Sequence, residues 1–137
     1  MKSDIDIKDE VYKVILDSTL HNAVSGELSK TKRPHNSTKE DIVISILAND
    51  TKQLQLAYVN VNVYVPDKNI QGQYEENTGR LRTLCQLSFD ILDRVNQNGY
   101  RLTLSDKNYE CGQHVIEDEG SHCHIINNKV LYQTINE

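Results

Sequence analysis

Leu54-Gln-Leu-Ala-Tyr-Val-Asn-Val-Asn-Val-Tyr-Val65 alternates apolar and polar side chains with the period of two that marks a β-strand. Val59, Val61, Val63 and Val65 share one face, and Tyr58, Asn60, Asn62 and Tyr64 share the other. At ~3.3 Å per residue such a strand runs roughly 40 Å, about twice the usual length. The valine face predicts burial under helices, whereas an amide and phenol face suits water or another chain. Length beyond the needs of a small domain predicts that residues 54–65 supply an edge for pairing between subunits.

On the N-terminal side, Ile42-Val-Ile-Ser-Ile-Leu47 reads as a strand closed by the turn formers Asn49 and Asp50, giving an antiparallel hairpin with residues 54–65. Pro66-Asp67 ends the long strand by removing a ladder donor. Residues 68–74 read as a loop. From about residue 75 to 96, Leu81, Leu84, Cys85, Ser88, Ile91, Leu92 and Val95 form one helical stripe, stopped by Asn98-Gly99. Residues 100–104 resume alternation. Two further strands are predicted near 113–116 and 129–135, separated by the acidic turn Glu117-Asp118-Glu119-Gly120 and by residues 121–126, themselves a candidate extended segment.

Before all this, residues 8–24 place Val11, Val14, Ile15, Leu16, Leu20, Ala23 and Val24 at helical spacing. The stripe drifts at Asp17-Ser18-Thr19, which fits either a broad buried face or a break into two short helices. Gly26 stands where a C-cap is expected. Residues 27–40 have no period and carry Lys30, Lys32, Arg33 and Lys39, with Pro34 holding Arg33 extended. The order α-β-β-α-β-β(-β) is an α+β pattern: a mainly antiparallel sheet with two helices packed on one face.

The 137 residues fit a single domain, 1–137, with one core. A formal charge of −5 argues against binding nucleic-acid phosphates, directly or by sequence. No apolar run approaches the ~20 residues of a membrane span, and the N-terminus lacks an apolar leader core. Cys85, Cys111 and Cys123 are odd in number and widely spaced, which suits a reducing cytosol better than a secreted disulfide framework.

Taken in order, the helix ending at Gly26, the loop through Arg33-Pro34, the strand Glu40-Asp-Ile-Val-Ile44, the strand end Val61-Asn-Val-Tyr-Val-Pro66, the helix from Gly79 to Val95 and the β-rich tail resemble the tail-completion, or tail-terminator, family of tailed bacteriophages and prophages. The resemblance spans nearly the whole chain but rests on architecture and short strings. It implies a non-enzymatic virion protein, assembled in the bacterial cytoplasm and resident in the phage tail. Its partners would be copies of itself in a ring, the tail tube and the head-connector proteins, and it needs no cofactor. In such a ring Tyr58, Asn60, Asn62 and Tyr64 would lie at the joint. Lys32 and Arg33 would meet Glu117, Asp118 and Glu119 of a neighbour at the rim. The plain alternative is that both charged stretches are solvated loops.

One cluster has metal-ligand residue types: Cys111-x-x-His114 followed by His122-Cys-His124. His122 and His124 on one strand face would stand roughly 7 Å apart at ~3.3 Å per residue, and Cys111 and His114 would complete a tetrahedral zinc set. A small metal-binding domain is therefore the alternative function, against a surface His pair with a buried Cys123. Cys85 lies on the apolar helix stripe and reads as a core residue. No phosphate-cradling glycine pattern is present. The tyrosines lack interleaved Lys and Arg for nucleic-acid stacking.

Overall fold

A computed structural model describes residues 1–97 and 99–135, so the predicted Asn98 turn residue lies outside the described residues, although its neighbour Gly99 has φ +100°. Three helices and a mostly antiparallel sheet make an α+β fold. Helix α1 (Asp4–Leu16) starts on a capping box in which Ser3 accepts from the Asp6 N–H and the Asp6 side chain accepts from Ser3. The break at residues 17–18 is real: Ser18 donates to the Ile15 carbonyl (2.6 Å), accepts from the His21 N–H and so caps the short α2 (Thr19–Ala23).

Gly26 is not a C-cap. It is the point of closest approach between the α2 exit and residues 40–41, where its N–H donates to the Glu40 carbonyl (2.8 Å) and a Cβ would collide with the Asp41 carboxylate and that same carbonyl. We expect Gly26→Ala to lower stability by about 1–3 kcal/mol, the usual cost of overpacking, measured by urea denaturation. An unchanged midpoint would show that this contact can open freely.

Strands β1 (Leu28–Ser29) and β2 (Ile42–Asp50) are parallel; β2 is antiparallel to β3 (Leu54–Pro66) with a bulge between Ile46 and Ala48. Asn49 and Asp50 are ladder residues opposite Ala57 and Leu56, and the turn falls at 51–53. A small hairpin of β4 (Lys68–Ile70) and β5 (Gln73–Glu75) occupies the predicted loop, so α3 spans Thr78–Leu92 and begins three residues later than its stripe suggested. Asn77 caps it by accepting from the Arg80 N–H. Then come β6 (Val95–Gln97), β7 (Tyr100–Thr103), β8 (Gly112–Asp118), a 3-10 turn at Glu119–Ser121 and β9 (Cys123–Ile135).

The predicted strand near 113–116 is β8, and the candidate extended segment 121–126 joins the predicted strand 129–135 in one strand, β9, as long as β3 and paired with it from Leu54↔Ile135 to Pro66↔Cys123. The sheet order is β1-β2-β3-β9-β7-β6, with β8 also on β9. This overturns the expected subunit edge: β3 is central, and β2 and β9 use its backbone groups on both sides.

The predicted faces hold. Ala57, Val59, Val61, Val63 and Val65 pack with Ile126, Val130 and Tyr132 of β9 under Ile7, Val11 and Ile15 of α1, Leu20 of α2, and Leu81, Leu84 and Leu92 of α3. Each valine is removed from water on a single-sided core, worth about 1.5–3 kcal/mol per side chain. Buried Tyr132 stacks on Tyr100 and donates to Glu10 (2.6 Å); burial, and then that carboxylate, raise its pKa and keep the phenol protonated.

Candidate functional site

With the helices on the valine face, the opposite face of the sheet presents Tyr58, Asn60, Asn62 and Tyr64, all half-buried. Register brings β9 residues beside them: Asn127 opposite Asn62, Lys129 opposite Asn60, Ile125 opposite Tyr64. The Asn127 amide donates to Asn62 Oδ1 (2.7 Å) and Asn60 Oδ1 (3.2 Å), forming an amide cluster at the middle of the face. Lys129 Nζ lies over the Tyr58 ring at 5.0 Å and 3.7 Å from Glu110. Asn127 falls outside the predicted strand 129–135 and Lys129 is its first residue, and neither position announces in the sequence that β3 stands opposite it. Asn128, a polar residue between Ile126 and Val130, interrupts the alternation that would have joined residues 121–126 to the strand that follows.

One end of this face is roofed by the basic loop. Arg33 does not stand at a rim: its side chain is 15% exposed, its guanidinium lies 4.7 Å over the Tyr64 ring, and it bonds Asp41 Oδ2 (2.8 Å) and the Lys39 carbonyl (2.7 Å). Asp41, 1% exposed, also accepts from Ser37 Oγ (2.6 Å) and the Glu27 N–H (2.8 Å). Burial pushes its pKa up, but Ser37, Arg33 and the Glu27 amide outweigh that and hold it below the ordinary value. The Arg33–Asp41 pair is therefore a structural tie for the loop, while Lys32 remains exposed.

The acidic stretch is also placed differently. Glu117 and Asp118 belong to β8, and Glu119 opens the 3-10 turn whose Gly120 and Ser121 line a cleft of about 470 Å³ with Arg33, His35 and Ser37. The basic loop and the acidic turn are thus neighbours within one chain. They sit at the same end of the sheet, where the turn residues Gly120 and Ser121 face the loop of their own chain.

The His and Cys cluster comes apart. His122 is not on a strand face but in the left-handed conformation (φ +50°) that ends the 3-10 turn, where it stacks on Tyr74 at 3.7 Å between centroids. His124, opposite Val65 in the ladder, bonds Asp67 (2.6 Å), with Glu76 3.8 Å from its other nitrogen. His114 is exposed on β8 opposite Asn127, and Cys111 Sγ contacts the Asp106 carbonyl (3.6 Å). Among the described residues no group of three or more His, Cys, Asp or Glu side chains is arranged to hold a metal ion, so Cys111, His114, His122 and His124 do not form the expected tetrahedral set. Burial pushes the Cys85 and Cys123 thiols up, which disfavours the thiolate a nucleophile needs.

Among the described residues no helix is long and apolar enough to cross a membrane. Comparison with protein-family models and with curated proteins finds no match to this chain.

Proposed function

We propose that the chain is a structural protein of phage or prophage tail assembly, of the tail-completion type, acting through contact with copies of itself and with tube and connector proteins. The observation that supports this reading is the one-sided sheet: β3 and β9 are both thirteen residues long, helices cover one face, and the other presents half-buried amide, phenol and lysine side chains, roofed at the Tyr64 end by Arg33. Such a surface fits a polar, well-hydrated protein contact, with the tyrosines contributing area and the amides directional bonding. The function then lies in which surfaces are presented and in what register.

Sedimentation and negative-stain imaging of the purified protein test the proposal. The expected result is a closed ring of several subunits. A protein that never exceeds a dimer at the highest attainable concentration would overturn the ring, and with it the tail-completion reading.

A further inference from the structure

Strand β8 stands at the sheet margin with β9 as its one strand partner among the described residues. Its central residues, His114 to Glu117, are exposed, and they include Val115 (45%) on the helix side and Ile116 (49%) on the open side. It is a regular seven-residue strand, without the proline, bulge or lysine that usually blunts such an edge. Gln113 anchors it from behind by donating to the Cys85 carbonyl (3.0 Å) and Asn128 Oδ1 (2.8 Å), so the edge is held extended before any partner arrives.

We propose that β8 is a self-pairing edge, joining two copies of this chain antiparallel about a twofold axis normal to the sheet. The sequence of the strand chooses the register. Centred on Ile116, the pairing sets Ile116 against its own copy on the open side and His114 against Asp118 of the second copy, twice by symmetry. Centred one residue earlier, it opposes His114 with Ile116 and matches no charges.

The outline of the margin fits the same arrangement. β7 and β8 lie one after the other along β9, and β6 stands one strand further out beside β7 alone, leaving a step next to β8. A copy turned by the twofold places its β8 in that step and its own β6 beyond the far end of the first β8. The result is one continuous sheet spanning both copies, with main-chain bonds supplying affinity and the side chains supplying register.

This inference goes beyond the tail reading and does not depend on it. A twofold joint closes at two copies, so a dimer without larger species would retain the joint while removing the ring.

Sedimentation equilibrium on the full chain tests it, with far-UV circular dichroism to show that each variant is folded. Wild type should carry the twofold joint, either as a dimer or as a larger species built from dimers, and Ile116→Lys, which opposes two ammonium groups, should halve the mass of that species. His114→Asp should weaken dimerisation by about tenfold through two like-charge oppositions, and adding Asp118→Lys should restore it. A monomeric wild type, variants that dimerise as wild type does, or a double variant that fails to recover would each overturn the proposal.

Discussion

Replacing Val61 by lysine is expected to abolish cooperative folding, whereas lysine at the adjacent Asn62 should cost no more than about 1 kcal/mol. Val61 is fully buried between Ile44 of β2 and Asn128 of β9, beneath the helices. A lysine there must bury an ammonium without a partner or displace the core, and a loss above ~5 kcal/mol consumes most of a domain's stability of roughly 5–15 kcal/mol. Asn62 faces away from the helices, and its replacement forfeits one amide bond from Asn127. Urea denaturation followed by circular dichroism measures both variants. Equal damage from the two would refute the assignment of one covered face and one open face.

The second large effect is expected at Asp41. Asp41→Ala removes the acceptor shared by Arg33, Ser37 and the Glu27 N–H, leaving a guanidinium mostly out of water and a loop without its tie. The expected loss is about 3–5 kcal/mol, the range for breaking one partner out of a buried pair. The same carboxylate gives the protein part of its acid sensitivity. Its folded pKa lies below the ordinary 3.8, so its stabilising contribution is fully present above that value and is lost as pH falls through the depressed folded value. Wild type should therefore lose stability steeply below about pH 4, and Asp41→Ala should show a shallower decline from a lower starting point. Parallel pH profiles of the two proteins would contradict this role.

Helix α3 and the faces of β3 were legible because each repeats a single period with few interruptions: Leu81, Leu84, Ser88 and Leu92 in one, the valines in the other. β9 was legible only in fragments. Asn127-Asn128-Lys129 looks like a break in an apolar strand, yet Asn128 is fully buried because Gln113 donates to its Oδ1 and its own Nδ2 donates to the Val61 carbonyl (3.1 Å), with no buried side-chain polar atom left unsatisfied among the described residues. Both partners are distant in sequence, so no local pattern signals that this asparagine can enter a core.

Asn49 likewise resembled a turn residue. Its amide instead bonds Asp4 Oδ1 (2.8 Å) while its Oδ1 accepts from Gln55 (2.7 Å), contacts that keep it in the ladder and move the turn to 51–53. The metal reading failed for a related reason. Equal spacing of His122 and His124 implies a shared face only if both lie in one strand, and His122 ends the preceding turn.

By itself, then, the chain's order of residues determined which side chains point together: alternation and helical spacing are local properties, set by the backbone geometry of each element. Which strand stands beside which was decided only in three dimensions, because a ladder is built from backbone groups that every residue carries alike. That choice placed the long strand at the centre, left β8 on a free margin, and folded Arg33 back over Tyr64.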